Sequence, residues 1–184
     1  GIDLHRGILA LARRFEAESP SAALSGSGPA IALGLFGLSN HDNVGGIFRN
    51  AAAFGVRAAL LDDASCDPFY RKAIRVSVGG VFKTPFYRGG TDLAHVAAFR
   101  DAGFECVALS PNGDEELADA PFAARTALLL GAEGSGLSDA VLRQTRTIRI
   151  AMAPGFDSLN VAATSAVALH ALFTRARARL VQGG

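Results

Sequence analysis

The chain has 184 residues, 49% of them apolar, enough to bury one sizeable core and too few for two of ordinary size. Its longest apolar runs, AAFGVRAALL and TALLLGA, are broken well short of the roughly 20 residues a bilayer span needs, and no signal peptide or membrane anchor is visible. A formal net charge of +1 excludes a histone-like pull on nucleic acid by the whole molecule, so any RNA affinity must come from local patches.

Residues 2–17, IDLHRGILALARRFEA, have the pattern of an amphipathic helix, and SPSAALSGSGP after it has the composition of a flexible linker. Residues 1–29 are therefore expected to precede a core domain over 30–184. In that domain strands and helices alternate. The spacing predicts strand 31–36, helix 44–55, strand 58–61, a helical segment over 68–77 and a short strand over 81–86. Helix 91–103, strands 104–110 and 126–132, helix 137–144, strand 147–152 and a long helix from Ser158 to about Arg177 complete the series. Apolar strands alternating with helices predict an α/β fold with a mostly parallel sheet flanked by helices. Ligands in such sheets sit at the carboxyl ends of strands, which points to the loops after Phe36, Leu109, Leu130 and Met152.

The first loop reads GLSNHDNVGGIFRNAAAFG. Asn43 is of the helix-capping type. Gly45 and Gly46 cost helix stability unless something requires close backbone approach, and Arg49 follows near the same face as Asn43. The loop after TALLL reads GAEGSGLS, whose spacing is neither a Walker A loop nor a GxGxxG fingerprint. Glu133 within it is either a solvated acid or a positioning group. In IAMAPGFDSLNVAATSAVALH, Ser158 is a good N-cap and Asn160 sits in the expected first helical turn at a small propensity cost. The helix that follows is small or apolar nearly all round, which predicts burial in a core or a subunit interface.

Cys66 and Cys106 form no CxxC and lie near no histidine cluster, so they read as reduced, buried thiols of a cytoplasmic protein without a metal. His5, His95 and His170 have no partner at ligand spacing. His41 stands beside the first loop, within reach of RNA, although a loop histidine is by default simply exposed. Arginine recurs in clusters: Arg71, Lys72 and Arg75; Lys83 and Arg88; Arg143, Arg146 and Arg149; Arg175, Arg177 and Arg179. These read as solvated faces, of which a subset has the planar fork that phosphate favours.

Taken in order, NVGGIFRNAAAFG, LLLGAEGSGLS and IAMAPGFDSLNVAATSA resemble the three successive motifs of the SpoU (TrmH-like) RNA methyltransferases of the SPOUT superfamily. The intervening RKAIRVSVGGVFKTPF resembles that family's R-x-S-x-G connector, and the resemblance covers roughly residues 31–175. Ala151 departs from it, since the family usually has proline there. The resemblance implies an α/β sheet whose C-terminal part forms a trefoil knot, an exception to the usual connection rules. It implies an S-adenosylmethionine pocket held by main-chain groups at Leu109, Gly131, Ile150, Met152 and Leu159. It also implies methyl transfer to a ribose 2′-hydroxyl of tRNA or rRNA. It further implies a central catalytic role for Arg49, surrounded by Asn43, Glu133, Ser158 and Asn160. A homodimer paired through knot-region helices is expected, as is the absence of any metal. A noncatalytic RNA-binding module that keeps the fold is the alternative. The absent GxGxxG disfavours a dinucleotide oxidoreductase.

Overall fold

The computed structural model describes residues 17–156 and 158–182. All but the last residue of the helix expected over 2–17 lies outside them, as do His5 and the side chain of Arg179. Within the stretch of linker composition, α1 (Pro20–Ala23) forms one turn. Ser19 Oγ accepts from Ala22 N, Pro20 occupies a position whose N–H no helix uses, and Ala23 and Leu24 are buried. Local capping and two apolar contacts thus override a loop-like composition.

The core runs β1 (Ala30–Leu35), α2 (His41–Ala53), β2 (Ala58–Leu61), α3 (Arg71–Val76), β3 (Phe86–Arg88), α4 (Asp92–Asp101), β4 (Glu105–Leu109), β5 (Glu115–Glu116), β6 (Arg125–Leu130), α5 (Asp139–Gln144), β7 (Arg146–Arg149) and α6 (Val161–Gln182). One seven-stranded sheet has the order β3-β2-β1-β6-β4-β7-β5, every neighbouring pair parallel. The expected open α/β architecture is therefore present.

Alternating strand residues feed two cores. Leu33, Leu35, Leu61, Val107, Leu128 and Leu130 pack with Ile47 and Phe48 of α2 and Leu169 and Leu172 of α6. Ala32, Leu60, Ala108 and Leu129 face the other way, onto Val96 and Phe99 of α4, Val141 of α5 and Leu24. The period of two sends each side chain to one layer or the other, and truncating a buried phenylalanine such as Phe99 is expected to cost about 3–5 kcal/mol.

Several boundaries differ from expectation. Residues 80–82 form a 3-10 turn, and the strand expected over 81–86 starts only at Phe86. Gly80 is pressed onto α2, where an added Cβ would lie 2.6 Å from Phe48 O, so the chain there follows a helix surface instead of a sheet edge. The strand expected over 147–152 ends at Arg149. β5 has only two residues, too few for periodicity to signal, and it is held by Arg146 to Glu115 (2.6 Å) and Arg149 to Glu116 (2.9 Å). These arginines, expected as solvated, are therefore tied to an edge strand. Cys106 is buried, and desolvation pushes its thiol up to about 11, whereas Cys66 is only half-buried, its thiol raised by the same cause. Among the described residues no helix is long and apolar enough to cross a membrane.

Candidate active site

Three adjoining strands, β6, β4 and β7, end at one cleft of about 490 Å³. Leu109, Gly131, Ile150, Met152 and Leu159 all line it, together with Glu133 and Ser158. Gly131 turns the chain back on itself: an added Cβ would lie 2.3 Å from Gly136 C and Leu137 N, and Gly136 N donates to Ala132 O at 2.9 Å. Only a glycine allows that fold-back. The main-chain groups of Gly131, Ile150 and Met152 make no hydrogen bond to any described residue, which leaves donors and acceptors free for a ligand.

At the rim, three side chains distant in sequence meet. Asn43 Nδ2 donates to Glu133 Oε1 at 2.6 Å. Asn160 Nδ2 donates to Asn43 Oδ1 at 2.9 Å and to Glu133 Oε1 at 3.2 Å. A carboxylate only accepts, so both amides must turn Nδ2 toward it, which settles their orientation. Asn43 is 5% exposed. Glu133 is exposed and belongs both to this network and to the cleft wall.

The helix caps differ from the expected ones. Asn40, whose Oδ1 accepts from Asp42 N at 2.9 Å, caps α2, and Asn43 lies inside its first turn. α6 begins at Val161 with Asn160 as its cap, Oδ1 accepting from Ala162 N (3.0 Å) and Ala163 N (3.3 Å). Ser158 remains outside the helix, exposed, with no hydrogen bond to a described residue. Asn160 wins because both ends of its amide are used, one on the helix and one on the network.

Arg49 does not join this group. It lies six residues beyond Asn43, about 120° round the helix, and is exposed with no polar partner among the described residues. Gly45 and Gly46 do serve close approach, but between helices. An added Cβ on Gly45 would lie 2.7 Å from Ala73 O, and one on Gly46 would lie 2.8 Å from Ala162 Cβ.

Other positioning residues lie outside the sequence motifs. Asn50 Nδ2 donates to Ala162 O (2.8 Å) and Ser165 Oγ (2.9 Å), tying α2 to α6. Asp62, 8% exposed, accepts from Gly37 N through both oxygens at 3.0 Å and from Ser65 N at 2.9 Å, latching the loop after β1. Its signal was an acid directly after an all-apolar strand. His41 opens α2 with its ring 4.1 Å from that of Tyr70. His95 is buried, Nε2 lying 3.0 Å from Leu61 O, and His170 packs edge-on against Phe54. Among the described residues no group of three or more His, Cys, Asp or Glu is placed to hold a metal ion.

A parallel α/β sheet with a backbone-rich cleft at three strand ends and an amide–carboxylate network at its rim defines an open α/β protein with a cleft of small-molecule size. Residues 30–170 match the model of the SpoU rRNA Methylase family, and the chain belongs to that family. It is 40% identical over 175 residues to an uncharacterized tRNA/rRNA methyltransferase of Mycobacterium bovis, covering 92% of this chain and 60% of that one. The SpoU methyltransferase AviRb from Streptomyces viridochromogenes, solved in complex with the cofactor AdoMet, superposes with a TM-score of 0.76 at 27% identity, over 83% of this chain and 60% of that one. A structure described as an RNA 2′-O ribose methyltransferase superposes with a TM-score of 0.72 at 27% identity, over 94% and 61% of the two chains. The chain thus spans 60% of the length of the Mycobacterium bovis and Mycobacterium tuberculosis relatives that it matches.

Proposed function

We propose that this chain transfers a methyl group from S-adenosylmethionine to a ribose 2′-hydroxyl of tRNA or rRNA. It acts in the cytoplasm as a homodimer and without a metal, its core domain spanning residues 30–184. The observation that carries this reading is the convergence of Leu109, Gly131, Ile150, Met152 and Leu159, from separate loops, on one cleft whose wall includes Glu133. Its volume is ordinary for a small-molecule site, which runs from about 300 to 1,000 Å³. The donor set fits the group, with unpaired main-chain groups at Gly131, Ile150 and Met152 beside apolar walls from Leu130, Leu137 and Leu142. The close pass of Gly113, where an added Cβ would lie 2.2 Å from Ile148 C, supports the tight threading of a knotted chain.

Bound there, S-adenosylmethionine supplies an electrophilic methyl group on a positively charged sulfur. The five lining residues hold the cofactor through their main chain, and the leucine walls exclude water. Asn43, Glu133 and Asn160 keep the 131–137 loop and the start of α6 in register with α2. Ser158, exposed at the cleft, orients the ribose. A guanidinium keeps its proton, so Arg49 clamps an RNA phosphate and aligns the hydroxyl, a positioning effect and not proton abstraction. The exposure of Arg49 and its place outside the lining of its own chain's cleft support a dimer in which each copy lends Arg49 to the other's site.

Tritiated methyl transfer to total RNA from cells lacking the gene, followed by mapping of alkali-resistant positions, tests the reading. Label in alkali-resistant dinucleotides is expected. Label on a base overturns the ribose assignment, and a chain that binds S-adenosylmethionine by calorimetry yet labels no RNA is a binding module instead.

A further inference from the structure

Residues 68–90, PFYRKAIRVSVGGVFKTPFYRGG, contain five cations and no acid, in a chain whose net charge is only +1. Two of the five are engaged. Lys72 Nζ pairs with Asp42 at 2.7 Å, and Arg88 Nε donates to Ser65 O at 2.9 Å. Arg71, Arg75 and Lys83 are exposed and have no polar partner among the described residues. On α3, Arg71 and Arg75 are one helical turn apart and so share a face.

Interleaved with these cations are large apolar side chains left in solvent: Tyr70 at 49% exposure, Val78 at 71% and Phe82 at 64%. They are three of the seven exposed large hydrophobics among the described residues, gathered within thirteen positions. Both rings are pre-placed. Tyr70 lies 4.1 Å from the His41 ring, and Phe82 stacks on half-buried Phe69 at 5.9 Å and 25°. Val78 is the one described non-glycine residue with positive φ, +51°, a strained conformation for a β-branched side chain that persists only where the surroundings enforce it. The segment is also fixed to the helix that carries Arg49, since an added Cβ on Gly80 would lie 3.0 Å from Arg49 Cα.

We propose that Tyr70, Arg71, Arg75, Val78, Phe82 and Lys83 form a docking platform for an unpaired stretch of the substrate RNA, an inference that rests on the RNA methyltransferase reading above. Bases stack on Tyr70 and Phe82, while phosphates meet Arg71, Arg75 and Lys83. Alternation of aromatic rings with cations is the chemistry that single strands need, because their unstacked bases offer faces to rings while the backbone seeks positive charge. A second copy of this chain fits less well. A two-fold contact would set three unpaired cations against the same three.

The test uses the full chain, a fluorescein-labelled unstructured RNA and its duplex, with binding followed by anisotropy over a range of KCl concentrations. Calorimetry with S-adenosylmethionine monitors the cleft. The double variant Tyr70→Ala/Phe82→Ala is expected to bind single-stranded RNA about tenfold or more weakly with an unchanged salt slope. The triple variant Arg71→Ala/Arg75→Ala/Lys83→Ala, confined to solvated side chains, is expected to lower the log–log salt slope by about two to three. Both variants should keep their affinity for S-adenosylmethionine. Unaltered RNA affinity and salt slope in both variants, while the parent still methylates RNA, overturns the platform alone. A parent that neither binds nor methylates RNA overturns the functional reading with it. Conversion of a dimeric parent to monomers with unaltered RNA affinity reassigns the face to a subunit contact.

Discussion

Asn160 Nδ2 donates to Asn43 Oδ1 at 2.9 Å across 117 positions of sequence, joining the cap of α6 to the buried first turn of α2. The same amide uses Oδ1 to cap α6, so one side chain both starts a helix and fixes its place relative to the cleft. Asn160→Ala is expected to lose about 1 kcal/mol from the cap, a fall of roughly 2–4 °C in Tm for a chain of this size, and most methyl transfer as well. Asn160→Asp separates the two roles. A carboxylate caps as well as the amide but cannot donate to Asn43, and it adds like charge beside Glu133. Its Tm should fall less than that of the alanine variant while its kcat falls as far, and recovery of kcat along with Tm would refute the network role.

The Arg49 side chain is exposed and has no polar partner among the described residues, so its removal should leave the fold untouched. Arg49→Ala is expected to keep its melting temperature and its affinity for S-adenosylmethionine while losing most of kcat. Turnover near that of the parent chain would remove Arg49 from the mechanism.

The fold-back at Gly131 leaves no room for a side chain. Gly131→Ala forces the 131–137 loop to shift, at a cost of about 1–3 kcal/mol for overpacking, and should abolish S-adenosylmethionine binding by calorimetry while the circular dichroism of the sheet persists. Affinity equal to that of the parent chain would mean that the loop does not shape the pocket.

Hydrogen bonding from Arg146 holds the Glu115 carboxyl below its ordinary value of 4.5. A carboxylate with a depressed folded value stabilises the native state above its unfolded pKa and loses that contribution as pH falls through the folded one. Amide protection over β5 should therefore drop as the solution is acidified below the ordinary carboxylate range. Arg146→Ala should remove this pH dependence, and a dependence that survives the substitution places its origin elsewhere.

Burial sets the two thiols apart. With its thiol raised to about 11, Cys106 presents only about a thousandth as thiolate at pH 8, and half-buried Cys66 should alkylate first in the native protein. Mass spectrometry of partially alkylated chain checks the order, which denaturant should abolish.

The alternation of apolar strands with helices was legible because side-chain period reports burial directly, and it was enough to give the parallel layers and to mark the loops after β4, β6 and β7. The motif residues were legible as a set through their order along the chain. Helix starts were not. Asn40, Asn43, Ser158 and Asn160 are all capping types, and only the partners each finds in space choose among them. β5 escaped for a related reason, since two residues carry no period and the strand exists because Arg146 and Arg149 reach it. Asp62 and Asn50 act through Gly37, Ser65 and Ala162, none of which adjoins them in sequence.

By itself, then, the sequence determined what is local and additive: which of the longer segments are strands or helices, which face of each is apolar, and which loops lie at the strand ends. Tertiary structure alone decided which polar groups meet, placing Asn43, Glu133 and Asn160 together and leaving Arg49 apart. The physical reason is that a hydrogen bond needs a donor and an acceptor within about 3 Å, and sequence spacing does not fix that distance between residues on different elements.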